Sequence, residues 1–241
     1  MRFSKIMLGA LALAGATPAL AQDETDPPSE FTIAGGATVV TDYRFRGFSQ
    51  TSEEPTIQGT FSVTHDSGLY VGVWGSGISF ANGTEIDLYG GFAKEIVPGL
   101  TGDIGATIYL YPGASNSTVI EPYVALTGTI GPATVKGSVA WAPSGQDSLA
   151  GFSGVYAYTD VAVAIPSTPL KLKGHLGYSD SDSFLGGADG EVLDYSVGVE
   201  ASYKNFTLGV SYVNTDEPTA FGYKDAIGAD GTVLVSFGAA F

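Results

Sequence analysis

From Phe31 to the last residue, apolar and polar positions alternate with a period of two, in stretches separated by turn-forming residues. The closing run, Gly231 to Phe241, reads G-T-V-L-V-S-F-G-A-A-F. Val233, Val235, Phe237, Ala239 and Phe241 fall on one face, and Thr232, Leu234, Ser236, Gly238 and Ala240 on the other. That is the period of a strand, not of a helix. Comparable stretches lie at 31–43, 55–65, 68–80, 84–96, 100–111, 118–130, 133–143, 153–165, 169–179, 193–203, 206–214 and 231–241. Each is near the roughly 9–11 residues that a tilted strand needs to cross a bilayer.

The connections sort into two kinds. Asp66-Ser67-Gly68, Pro98-Gly99, Gly131-Pro132, Ser167-Thr168 and Lys204-Asn205 have the chemistry of tight hairpin turns. Between them come links at 44–54, 81–83, 112–117, 144–152, 180–192 and 215–230, of which only 81–83 is brief. An even number of strands, with long loops at one end and short turns at the other, is the plan of an outer-membrane barrel. The expected fold is therefore all-β: a transmembrane antiparallel up-and-down β-barrel of about twelve strands, occupying 31–241. The short turns and both termini would face the periplasm. No long apolar run follows residue 21, which excludes helical spans.

Residues 1–21 carry the parts of a secretory signal: Arg2 and Lys5, an apolar stretch from Ile6 to Ala16, and the small-x-small site Ala19-Leu20-Ala21. Residues 22–30, QDETDPPSE, read as a disordered periplasmic tail. There is no cysteine, so export serves no disulfide scaffold. Taking Arg2 and Lys5 from the 10 basic residues leaves eight against 25 acidic ones, a mature charge of −17. Nucleic acid is excluded as a partner on charge. Mean hydropathy is nonetheless +0.18. A barrel reconciles the two, because lipid-facing apolar residues alternate with polar ones that face inward.

Charge decides which face is which, since Lys or Arg on the lipid face near the bilayer midplane costs about 2–4 kcal/mol. Along 169–179, Leu170, Leu172, Leu176 and Tyr178 oppose Lys171, Lys173, His175 and Gly177; along 193–203, Tyr195, Val197 and Val199 oppose Asp194, Ser196 and Glu200. The same parity gives the candidate pore-lining set: Glu85, Asp87, Asp103, Glu121, Lys136, Asp160, Lys171, Lys173, His175, Asp194 and Glu200, with Arg44 and Arg46 following the first strand. Acids concentrate on the fourth to sixth strands and cations on the seventh, ninth and first. Such a separation would set a field across a pore. Opposed charges could equally pair and close a narrow lumen. Phe31, Tyr70, Phe80, Tyr109, Tyr111, Trp141, Tyr178, Tyr203, Phe206 and Tyr212 fall near strand ends, as interfacial girdles would; Tyr70 and Trp74 also have inward parity.

Catalytic chemistry is hard to assemble. The two histidines are His65, beside a turn, and His175, among lysines, and there is no G-x-S-x-G. The chain is read as a non-enzyme, with no catalytic residues, cofactor or metal site. Asp180 to Glu191 has acids at positions one, three and twelve of a calcium loop, but Phe184 and Leu185 stand where a ligand and a glycine are needed.

Thr41-Asp42-Tyr43-Arg44-Phe45-Arg46-Gly47-Phe48-Ser49-Gln50-Thr51, then Pro55-Thr56-Ile57-Gln58-Gly59, resembles the TorF-type porin family of Gram-negative bacteria. Ser67 to Ser76, Glu85 to Gly91 and Tyr109 to Gly113 continue the resemblance, which covers roughly 31–241. It implies an outer-membrane location and a channel role, without a substrate. The function expected is a porin-like channel for passive diffusion of small hydrophilic solutes or ions. The alternatives are a non-conducting structural or adhesive barrel and an outer-membrane lipid hydrolase. Expected partners are outer-membrane lipids and lipopolysaccharide, small polar solutes, and the barrel assembly machinery through the Phe241 strand. Arg44 and Arg46 would guard the mouth or pair with acids of the lumen, or else bind lipopolysaccharide phosphates from the loop.

Overall fold

The computed structural model describes residues 30–219 and 222–241; the signal segment 1–21 and residues 22–29 of the expected tail lie outside them. Twelve strands close into one antiparallel barrel: β1 (Phe31–Val40), β4 (Thr56–His65), β5 (Leu69–Gly77), β6 (Thr84–Val97), β7 (Leu100–Leu110), β8 (Val119–Ile130), β9 (Ala133–Ala142), β10 (Gly154–Ala164), β11 (Leu170–Ser181), β12 (Glu191–Tyr203), β13 (Phe206–Thr215) and β14 (Thr232–Ala240). Each pairs with its neighbour in sequence, and β1 pairs with β14 to complete the ring. All twelve expected strands are present. Their ends differ by a few residues, most where β1 stops at Val40 instead of residue 43 and β5 at Gly77 instead of residue 80.

The chain beyond β1 makes a small ribbon, β2 (Arg44–Phe45) against β3 (Phe48–Ser49). Its two-residue turn has positive φ at both Arg46 and Gly47, the combination a type I′ hairpin requires. The brief link at 81–83 is a left-handed 3-10 turn closed by Gly83 N–H donating to Phe80 O at 2.8 Å, with Ile78 N–H donating to Gly83 O at 3.2 Å across its base. Further short turns lie at Asp147–Leu149 and Phe184–Gly186, and a four-residue helix, α1 (Tyr223–Ala226), interrupts the last long link. The five tight turns all fall at the barrel end that carries Phe31 and Phe241, called here the turn end; the opposite end is the loop end.

The surface is inverted relative to that of a water-soluble protein. Val197, Ile104 and Val71 are more than half exposed on the outer wall, whereas Trp74, Glu85, Glu121 and Asp194 are buried inside. Hydrocarbon offers no hydrogen-bond partners, so only a closed sheet can cross it. The seam is completed by Gly35 and Phe241, which exchange backbone hydrogen bonds of 3.0 and 2.8 Å. The Phe241 ring crosses the outer face of Gly35 so closely that a Cβ there would lie 2.6 Å from it. Closure at this point needs a residue without a side chain.

A Val197→Arg substitution, halfway along the outer face of β12, tests the transmembrane reading. Stability in liposomes, followed by denaturant unfolding, should fall by about 2–4 kcal/mol; an unchanged midpoint would mean that this face meets water.

Candidate functional site

Strand parity turns every expected lumen residue on β6 to β12 away from the apolar outer wall, and the inner face is densely cross-linked. Arg46, at the tip of the ribbon, reaches down to β8: its Nη2 donates to Glu121 Oε2 at 2.6 Å and Oε1 at 2.8 Å. The guanidinium lies 4.2 Å from the centroid of the Tyr156 ring and 4.7 Å from that of Phe45. Tyr109 Oη donates to Glu121 Oε2 at 2.9 Å. Burial works against the Arg46 charge, yet Glu121, with Tyr109 and Tyr156, holds its pKa above the usual guanidinium value.

Arg44 anchors the base of the same ribbon. It pairs with Asp42, donates to Gly228 O, and reaches Glu53 Oε1 at 3.3 Å. Asp42 Oδ1 accepts from Ser49 Oγ at 2.6 Å and Thr51 Oγ1 at 2.9 Å. These bonds tie the first loop to the last long link. The Arg44 and Arg46 side chains are 3% and 6% exposed, and both are turned to carboxylates within the fold. Leu149 and Leu185, from two further loops, pack with Val119 and Ala142, and Phe45 and Tyr109 rest against them. The loop end is thus capped over the β8–β11 side.

Below the cap, His175 Nδ1 is 2.7 Å from Asp160 Oδ1, and its Nε2 is 2.9 Å from Asp194 Oδ1 and from Tyr156 Oη. Lys173 Nζ donates to Glu200 Oε1 at 3.0 Å. Lys136 Nζ lies 5.6 Å from the Tyr158 ring centroid, and Tyr70 Oη donates to Asp103 Oδ1 at 2.7 Å and contacts Tyr123 Oη. Lys171 stands opposite Glu200 in register. The expected separation of acids from cations does not survive as an open field: Arg46, Lys173 and His175 each sit on a carboxylate. Glu85 and Asp87 differ. Both are buried on β6, where Tyr111 Oη donates to Glu85 Oε1 at 2.8 Å.

Tyr70, Tyr109 and Tyr111, expected among the girdle aromatics, turn inward as hydrogen-bond donors to these acids. Tyr109 on β7 and Tyr111 just beyond it share the parity of Asp103, and that outweighs their position near a strand end. Phe31, Phe80, Trp141, Tyr178, Tyr203, Phe206 and Tyr212 do lie exposed on the outside. In the loop after β11, Ser183 Oγ accepts from Leu185 N–H and Leu185 is buried.

The lumen is lopsided. Tyrosines and Trp74 fill the β5–β10 side. Along β12, β13, β14, β1 and β4 many inward residues are small, among them Ser196, Gly198, Ser211, Ser236, Gly238 and Thr38, with Gln58 and Leu234 larger. They enclose a cavity of about 250 Å³ whose walls run from Asp42 under the cap to Asn205 at the turn end, with Lys173 and Glu200 beside it. Neither the inward ribbon nor this cavity follows from alternation alone. The one local signal for the ribbon was Arg46-Gly47 between Phe45 and Phe48, a hairpin pattern inside a stretch read as loop.

No curated protein matches the sequence significantly. Among solved structures, the NanC porin superposes with a TM-score of 0.59 at 11% identity, covering 87% of this chain and 99% of that one. The KdgM porin gives 0.60 at 8% identity, covering 86% and 99%. A second KdgM structure, described as in complex with disordered oligogalacturonate, gives 0.56 at 7%, covering 87% and 99%. At these identities the likeness is one of fold. The family model of a bacterial protein of unknown function, Gcw_chp, matches residues 24–241, and the chain belongs to that family, built as a porin-like barrel of twelve strands.

Proposed function

We propose that this protein is an outer-membrane channel for passive diffusion of small hydrophilic solutes, with Phe241 and the turn end on the periplasmic side. The observation that carries this reading is the hydroxyl-lined cavity along β12–β14, β1 and β4. A purely structural barrel has no need of small side chains along one wall, since larger ones would pack the lumen and add stability. The resemblance of Thr41 to Thr51 to TorF-type porins points the same way. Of the expected pore residues, Lys173 and Glu200 border this path directly; Arg46, Glu121, His175, Asp160, Asp194, Lys136 and Asp103 hold the opposite side shut, and Arg44 fixes the cap.

Passage then depends on the ribbon. With Arg46 seated on Glu121 the loop end is capped, and release of that pair lets the ribbon leave the lumen. The oligogalacturonate in the KdgM complex is an acidic polymer. In this barrel the cavity-side lysine, Lys173, is bound to Glu200 and the chain is strongly acidic, which favours neutral or zwitterionic solutes over polyanions. A non-conducting barrel is the second reading, favoured by the capped loop end. A lipid hydrolase fits less well, because His175 faces inward and is held by two carboxylates and a phenol. Lipopolysaccharide and membrane lipids would surround the outer wall, and the assembly machinery would engage the exposed β14 face that ends in Phe241.

In planar bilayers the purified protein should show small stepwise conductances. Arg46→Met/Glu121→Met should raise them by freeing the ribbon, and Ser236→Phe, which fills the cavity, should lower them at least severalfold. Silence of both the wild type and the double variant at all voltages would sink the channel reading and leave the structural one. On stability, Arg46→Met alone strands a buried carboxylate and should cost about 3–5 kcal/mol, whereas the double variant should lose far less; denaturant titration of the folded barrel in detergent gives both values.

A further inference from the structure

Glu85 and Asp87 stand two residues apart on the inner face of β6, 2% and 3% exposed. Their neighbours in register are Ser76 and Trp74 on β5, and Tyr109 opposite Asp87 on β7. Tyr43 closes over them from the chain between β1 and the ribbon, with its ring edge-on to Trp74 at 5.2 Å between centroids. One oxygen of each acid, Glu85 Oε2 and Asp87 Oδ1, is buried without a hydrogen-bond partner. The two arginines folded into this half of the lumen are committed elsewhere, Arg44 to Asp42 and Arg46 to Glu121.

Two ionised carboxylates cannot sit side by side in so dry a place without a compensating charge. Buried charges are paired, protonated or bound to a metal. The neighbours of the pair that can offer a lone pair are oxygens, among them the Ser76 hydroxyl in register with Glu85 and the Tyr109 phenol in register with Asp87. Tyr111 Oη already touches Glu85. The charges of Glu85 and Asp87 act on both the Tyr43 and the Tyr111 hydroxyl, so both phenols lie within electrostatic reach of the pair. A donor set made of carboxylate and neutral oxygen, with no nitrogen or sulfur, suits a hard cation, and two negative charges are balanced by one divalent ion.

We propose that Glu85 and Asp87 form a binding site for a hard divalent cation of the calcium class, with the hydroxyl oxygens of Tyr43 and Tyr111 and water completing its shell. The ion would join β6, the end of β7 and the chain leading into the ribbon, and so would hold the cap in place. The site does not depend on whether the barrel conducts.

Terbium(III), which takes the place of calcium and is excited through nearby indole and phenol rings, reports on it directly. Full-length barrel in detergent, stripped with EDTA, should give saturable terbium emission that calcium competes away. Glu85→Gln/Asp87→Asn should lower that emission more than tenfold, and Asp180→Asn/Asp182→Asn in the acidic loop should not. Calcium should raise the unfolding temperature of the wild type and leave the Glu85→Gln/Asp87→Asn variant unmoved. Stripped of metal, that variant should be at least as stable as the stripped wild type, since the repulsion is gone. Emission that persists in the variant would overturn the site, as would stabilisation by sodium alone at equal ionic strength. A wild type that ignores calcium but is stabilised by acid, in a way the variant is not, would assign the pair to a shared proton instead.

Discussion

The constraint on which everything else rests is that hydrocarbon accepts no unpaired backbone amide or carbonyl. A sheet that crosses it must have no edge, so β1 must find β14, and the last residue must bond back to Gly35. Once the ring is closed, alternation has only one consistent setting. Val, Ile, Leu and Phe face out, and every residue of the other parity is turned into a space of limited width. The inner chemistry follows from this. Charges that a soluble protein would leave on its surface here face one another, and each must find a partner or be stranded.

This explains why the lumen is a chain of linked groups and not a set of independent charges. Glu121 accepts from both Arg46 and Tyr109; Tyr156 stacks on Arg46 and reaches His175; His175 bridges Asp160 and Asp194. Strands β7, β8, β10, β11 and β12 and the ribbon are thereby joined through side chains as well as through the backbone ladder. Tyrosine suits the task. Its ring fills volume and its hydroxyl donates to a carboxylate without adding a charge of its own.

Most of the barrel was legible because period-two patterning is local: Leu170 to Tyr178 can be sorted by eye, and the charged parity must face in. The tight turns were legible for the same reason. Where a residue finds its partner was not. Arg46 lies 75 positions from Glu121, and nothing near either one shows that a loop residue will fold into the lumen instead of standing at its mouth. Tyr109 and Tyr111 were misplaced because an aromatic near a strand end suits an interfacial belt and an inner hydrogen bond equally. Only parity separates the two, and both tyrosines carry the inward parity of Asp103. The cavity escaped notice because small residues such as Ser196, Ser211 and Ser236 carry no signal singly. They matter only when five strands bring them to one wall.

That lopsided filling separates two quantities usually read together in barrels, the number of strands and the width of the bore. Twelve strands fix the circumference, but the free space lies off the axis, against one wall, where many of the side chains are no larger than a hydroxymethyl group. A single exchange of serine for alanine or valine on β12, β13 or β14 changes the polarity or the width of that space while the tilt, the seam and the lipid-facing surface stay as they are. The fold can therefore be retuned from within, one side chain at a time, with the membrane on the outside meeting the same protein.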